Sequence, residues 1–211
     1  MYFKQLQLGP MANYVYLVGD PETKECAVVD PAWNVQKILD AAREDGYRIT
    51  MALATHNHPD HTNGLPQLLQ ESDIPIYIHK EDAFALEGVK GSVKQVSGGD
   101  KARIGKIEVT FLHTPGHTEG SQCFQFKDRL LTGDTLFIRG CGRVDLPGSD
   151  PEKMYHSLRK LAKLDGKTTL FPGHNYSEES SVDLETERGQ NPYLRAVLTL
   201  TPADFLKLTA S

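Results

Sequence analysis

Short runs rich in β-branched and aromatic residues alternate along the chain with segments of helical period. Residues 13–19 (NYVYLVG) and 26–30 (CAVVD) are two such runs, and the polar DPETKE between them predicts a turn joining antiparallel strands. A helix follows: Asn34 can cap it, Val35, Ile38, Leu39 and Ala42 fall on one face, and Gly46 stands where a helix stops. Residues 49–55 (ITMALAT) predict a short buried strand, and Pro59 predicts the first turn of a helix running towards Leu69. IPIYIH and KIEVTFLHT predict further strands, with SGGDKARIG as the turn-rich connection before the second of them. SQCFQF, RLLTGD and TLFI continue the series, and TTLFPGH closes it. Asp150-Pro151 opens a helix with Met154, Leu158 and Leu161 on one face, and residues 201–208 (TPADFLKL) predict a capped terminal helix. The N-terminal MYFKQLQLGP has neither a basic nor an apolar leader region and reads as a first strand. Strands, helix, strand and helix, followed by a second such set, predict an α/β chain of two sheets with helices outside and a seam near SGGDK.

Composition narrows the function classes. The 211 residues suffice for one well-packed domain, with normal hydrophobic (39%) and charged (24%) content. A net charge of −5 argues against a nucleic-acid partner but leaves anionic small molecules open, because a bound divalent ion can reverse the local field. The cysteines are Cys26, Cys123 and Cys141, an odd number without a redox or zinc-knot spacing, which predicts a reduced, cytoplasmic setting. No apolar run is long enough for a membrane span.

The distinctive chemistry is in residues 55–61, THNHPDH. His56, His58, Asp60 and His61 crowd one loop at the end of a predicted strand, and three imidazoles there point to a metal. Three other strand-end loops carry candidates beside Gly or Pro: His117 in TPGHTEGS, Asp134 in LTGDTLF and His174 in FPGHNY. A lone His117 or His174 would read as a hydrogen-bonded structural residue, and Asp134 as an ordinary turn aspartate. The cluster in THNHPDH turns the set into seven candidate ligands, more than one tetrahedral zinc can use and suited to two ions sharing a carboxylate. His79, His113 and His156 lack such context. Cys141, in RGCGR, has no nearby histidine and reads as a bystander.

THNHPDH followed by His117, Asp134 and His174 resembles the metallo-β-lactamase superfamily over residues 55–174, and the leading strands fit as well. The resemblance implies an αββα sandwich, residues 1–211 as one domain, with the metal at one edge of the two sheets. In the hydrolase members the positions of His56, His58 and His117 bind one ion, those of Asp60, His61 and His174 the other, and that of Asp134 bridges them.

Two branches compete, both acting on glutathione thiol derivatives. TLFIRGCGR (residues 135–143), MYHSL (154–158) and ETERGQNPYL (185–194) are similar to persulfide dioxygenases. That reading, favoured here by IRGCGR, implies one Fe(II) held by His56, His117 and Asp134, a 2-His-1-carboxylate face open to dioxygen and a thiolate, with sulfite and glutathione as products. Arg143 would meet a glutathione carboxylate, and Asn175 and Tyr176 of GHNY complete the candidate substrate contacts. VDLPGSDP after Arg143 instead resembles small glyoxalase II-type hydrolases. That alternative implies two zinc or iron ions, an S-acylglutathione thioester and Asp60 orienting the attacking hydroxide. The 37 residues after His174 are too few for the helical domain of typical glyoxalase II, which counts against an ordinary glyoxalase II but not against the short bacterial type. Another hydrolase of the same fold, such as a lactonase or nuclease, is a further alternative, although superfamily nucleases usually have an inserted domain and a basic surface. The partner class is a small thiol-derived molecule, with neither nucleic acid nor membrane, and a homodimer is compatible.

Overall fold

In a computed structural model, which describes residues 1–209, the strands before residue 97 form one sheet and those after residue 100 form a second sheet and a small hairpin. The first sheet holds β1 (Tyr2–Leu8), β2 (Asn13–Asp20), β3 (Glu25–Val29), β4 (Arg48–Leu53), β5 (Ile76–His79) and β6 (Val93–Val96), in that order. Its first three strands are antiparallel neighbours and β3 to β6 run parallel. Helices α1 (Val35–Glu44), α2 (Pro59–Thr62) and α3 (Leu65–Glu71) and a 3₁₀ helix (Lys80–Leu86) fill the connections.

The second sheet is built from β7 (Lys101–Ile104), β8 (Ile107–His113), β9 (Gln122–Phe126), β10 (Arg129–Gly133), β13 (Thr169–Pro172) and β14 (Val182–Asp183), with the hairpin β11 (Leu136–Phe137) and β12 (Gly140–Cys141) beside it. Helices α4 (Pro151–Leu161), α5 (Leu184–Gln190), α6 (Pro192–Thr199) and α7 (Pro202–Thr209) cover its outer face. The seam is residues 97–100, the SGGD where the sequence placed it.

The side chains of β2 show why the layers form. Tyr14, Tyr16 and Val18 enter the core between the sheets, against Phe111, Phe124 and Phe171. Val15 and Leu17 face the other way, under Val35, Ile38 and Leu39 of α1. A strand buried on both faces has no polar side to show, hence its near-continuous apolar run. A third core packs Leu130 and Leu170 against Met154, Leu158 and Leu161 of α4. Capping holds as read: Asn34 accepts from the Lys37 amide, and Asp150 from the Glu152 and Lys153 amides.

Two local expectations are corrected. The helix from Pro59 breaks after Thr62 and restarts at Leu65, because Gly64 donates its amide to Pro31 O and a Cβ there would lie 2.6 Å from that oxygen. KARI, read as connection, is the edge strand β7: Ala102 and Ile104 are buried while Lys101 and Arg103 face outward, charges that blunt an exposed edge.

Candidate metal centre

His56, His58, Asp60 and His61 follow β4, His117 follows β8, Asp134 follows β10 and His174 follows β13. Every one of these loops leaves the C-terminal end of a strand, and the two sheets bring them to one edge of the sandwich. His58 Nδ1 lies 3.1 Å from His56 Nε2 and 3.0 Å from His117 Nε2. Asp60 Oδ2 lies 3.4 Å from both His61 Nε2 and His174 Nε2, which are themselves 3.1 Å apart. Asp134 sits between the two groups, with Oδ2 3.3 Å from His174 Nε2 and 3.6 Å from His117 Nε2. Two three-donor sets, His56–His58–His117 and Asp60–His61–His174, are therefore assembled around one carboxylate.

The hydrogen bonds behind the rings decide which nitrogens point inward. His117 Nδ1 faces Arg143 O at 2.8 Å and His174 Nδ1 faces Met11 O at 2.9 Å. A carbonyl oxygen only accepts, so each Nδ1 carries the proton and each Nε2 turns a lone pair into the cluster. His61 Nδ1 donates likewise to Asp30 Oδ2 (2.9 Å). The Thr55 hydroxyl gives its proton to Asp30 Oδ2 (2.7 Å), so it must accept from His56 Nδ1 (3.0 Å). His58 alone presents Nδ1. Rings locked through the distal nitrogen are the usual support for a bound metal.

Electrostatics agree. Asp134 Oδ1 is buried and, 3.3 Å from His61 Nε2, makes no hydrogen bond, leaving an orphaned oxygen aimed into the cluster. Burial opposes ionisation of Asp134, yet His61, His174 and His56 hold it far below the usual carboxylate range. Burial also pushes His56 down, with help from His61. Burial would lower His61 too, but Asp134, Asp30 and Asp60 outweigh it and raise that imidazole to about 9. In the absence of a cation, a proton on His61 thus partly neutralises the buried carboxylates. A divalent ion fits the same donors better, because it satisfies several lone pairs at once.

Residues outside the seven complete the scaffold. Buried Asp30, at a backbone φ of 51°, accepts from Thr55 N, Thr55 Oγ1 and His61 Nδ1. It follows a strand and lies beside a proline, so the rule of a strand-end residue next to Gly or Pro would have found it. Asp82, fully buried in the 3₁₀ helix, accepts from Asn57 N (3.0 Å), Thr118 Oγ1 (2.7 Å) and Gly120 N (2.8 Å), tying the His56 loop to the His117 loop. Asn13 donates to Asp60 Oδ2 (2.9 Å). Neither Asp82 nor Asn13 has a local sequence signal.

The candidate substrate residues divide. Tyr176 is exposed and stacks on His174, with centroids 4.8 Å apart and planes 8° apart, and its ring meets Phe137 edge-on at 5.2 Å. Arg143 is exposed and paired through two bonds with Asp145 (2.9 and 2.8 Å), while its carbonyl holds His117. Asn175 turns away from the donor cluster and donates to Gln7 Oε1 (2.9 Å). IRGCGR and ETERGQNPYL meet in space: Glu187 accepts from the Arg139 backbone and side chain, and Asn191 donates to Phe137 O and Gly140 O. Gly142 threads between two ligand loops, where a Cβ would lie 1.8 Å from Asp134 O. Cys141 is a free thiol, pushed by burial up to about 12. His113 stacks on His79 at 3.9 Å and donates to or accepts nothing from the seven.

A family model described as the metallo-beta-lactamase superfamily matches residues 8–174. The chain belongs to the metallo-beta-lactamase superfamily. A hydroxyacylglutathione hydrolase of Rhodospirillum rubrum is 39% identical over 87% of this chain and 70% of the relative. A probable polyketide biosynthesis zinc-dependent hydrolase, BaeB of Bacillus velezensis, is 31% identical over 87% of this chain and 82% of its own. Among solved structures, ETHE1 from Myxococcus xanthus superposes with a TM-score of 0.89 at 30% identity, covering 100% of this chain and 91% of that one. Within the superfamily the chain falls in the glyoxalase II-like and persulfide dioxygenase-like branch, a metallo-hydrolase fold with a His/Asp cluster that could hold metal at the sheet edge. Among the described residues no helix is long and apolar enough to cross a membrane.

Proposed function

We propose that the protein is a two-metal hydrolase of thioesters of the S-acylglutathione type. The observation that carries this reading is the pair of three-donor sets around Asp134, with inward-facing nitrogens fixed from behind. His58 Nδ1 stands between His56 and His117 as a third donor, a position better suited to ligation than to outer support. Likeness to the Rhodospirillum hydroxyacylglutathione hydrolase supports the substrate class.

Divalent ions at these donors would supply a Lewis acid for the thioester carbonyl and lower the pKa of a water towards neutrality. His56, His58 and His117 would hold one ion, Asp60, His61 and His174 the other, and Asp134 both. Asp60, anchored by Asn13, orients the attacking water. Tyr176 and Phe137 offer an aromatic wall beside His174 to the apolar part of the substrate. Arg143 offers a guanidinium to a substrate carboxylate in exchange for Asp145. Water adds to the acyl carbon, the carbon–sulfur bond breaks, and carboxylate and thiol leave.

The second reading is Fe(II)-dependent persulfide oxidation with iron at His56, His117 and Asp134. The likeness of IRGCGR to that branch and the match to ETHE1 over 100% of this chain and 91% of that one favour it. Residues 142 and 143 behind the hairpin, however, contact Asp134 and His117, which both readings use, and the hairpin itself is held by Glu187 and Asn191, so its sequence is accounted for by these structural contacts. One experiment separates the two. Zinc- and Fe(II)-loaded samples are given S-lactoylglutathione, with thiol release followed, and glutathione persulfide, with oxygen uptake followed. Thiol release without oxygen uptake is expected. Oxygen uptake with sulfite formation, and no thioester cleavage with either metal, overturns the first reading in favour of the second.

A further inference from the structure

We propose that Asn13, oriented by Trp33, is a positioning residue that sets the metal affinity of the Asp60–His61–His174 half of the centre, leaving the other half untouched. The inference rests on the two-metal reading. An indole N–H can only donate, so Trp33 Nε1, 2.8 Å from Asn13 Oδ1, fixes which end of that amide is oxygen. The amide nitrogen must then face Asp60, where it reaches both the backbone oxygen (3.0 Å) and Oδ2 (2.9 Å). A flipped amide would press two oxygens together.

Trp33 is itself held. It sits at φ 65°, its backbone amide donates to Asn63 Oδ1 (2.7 Å), and its ring lies so close to Gly9 that a Cβ there would come within 2.4 Å of the indole. Gly9, Trp33, Asn13 and Asp60 thus form one continuous line of contact. Asp60 depends on that line. It is half-buried on a four-residue helix, and among the described residues no hydrogen bond but Asn13's reaches its carboxylate.

The same stretch of chain serves the rest of that half. Met11 O holds His174 Nδ1, the Tyr14 amide donates to Gly173 O (2.8 Å), and Asn13 forms a β-bridge with His174. His56 and His117 are braced from elsewhere, by Thr55 and by Arg143 O. The turn between β1 and β2 therefore addresses one half of the centre only.

Zinc binding to the metal-free chain is to be measured by native mass spectrometry and by competition with a chromophoric chelator, with melting of the metal-free chain as the folding control. The wild type should take two ions. Asn13→Ala should weaken one of them about 10–100-fold, the range for loss of a partner behind a metal ligand, and leave the other unchanged. Trp33→Phe keeps a ring over Gly9 but frees the amide, so a smaller loss at the same ion is expected. His117→Ala, which should weaken the opposite ion, assigns each loss to its half. Equal weakening of both ions by Asn13→Ala, or of neither, overturns the proposal. A wild type that takes only one ion refutes the two-metal reading by itself, whatever Asn13 does, and the proposal falls with it.

Discussion

The imidazoles of His61 and His174 face each other, Nε2 to Nε2 at 3.1 Å, with their Nδ1 protons turned away to Asp30 and to Met11 O. Neutral rings in this pose oppose two lone pairs, and a cation between them relieves the clash. In the metal-free protein a proton does so, with the His61 imidazole raised to about 9. A folded-state value above the unfolded one, about 6.5, gives stability that is full below 6.5 and is lost as pH rises through 9. Denaturant unfolding of the metal-free chain should therefore show falling stability between those limits, and metal-loaded protein should not. A flat profile for the metal-free chain would remove this account of the site.

Asp82 holds the two loops of the His56–His58–His117 set together with three hydrogen bonds. Asp82→Ala leaves the Asn57 and Gly120 amides without their acceptor, while the Thr118 hydroxyl keeps Ser121 Oγ. A loss of about 3 kcal/mol is expected from the cost of stranding such groups, together with weaker metal binding. The denaturant midpoint checks the first and chelator competition the second. A variant as stable as the parent would show that water replaces the carboxylate.

Gly173 approaches Asp134 so closely that a Cβ would stand 2.3 Å from Oδ1. Gly173→Ala should displace the Asp134 carboxylate with little effect on the fold. Displacement of a reacting group by about an ångström costs roughly 100-fold in rate, so kcat should fall by that order while circular dichroism is unchanged.

Tyr176 and Arg143 lie at the rim and are exposed. Tyr176→Ala removes the ring stacked on His174 and should raise KM with little change in kcat, whereas Tyr176→Phe should keep the parent KM. The Arg143–Asp145 pair is solvated on both sides, so Arg143→Ala should leave the denaturant midpoint essentially unchanged. Its expected effect is a higher KM for substrates carrying a carboxylate, and none for neutral thioesters. Steady-state kinetics on a charged and a neutral thioester test both residues together.

The donor types were legible because they follow strand ends beside Gly or Pro, a local pattern. The seam was legible because SGGD breaks two apolar series. Helix ends were legible where a cap is local, as at Asn34 and Asp150. The break at Gly64 was not, since it depends on Pro31, thirty-three residues away. Asn175 looked like a site residue beside His174, yet its side chain turns to Gln7 at the other end of the chain. Asn13 and Asp82 act through partners forty-seven and twenty-five residues distant and have no neighbours that announce them.

By itself, then, the sequence determined the strands and helices that carry a clear apolar period or a local cap, and the seven candidate donor residues at strand ends, because those depend on periodicity and on side-chain chemistry. Tertiary structure decided how closely the two sets that the resemblance implied approach Asp134, which ring nitrogens face inward, and which residues hold them. Those depend on distances between loops far apart in the chain, set only when both sheets pack face to face and bring their C-terminal strand ends to one edge.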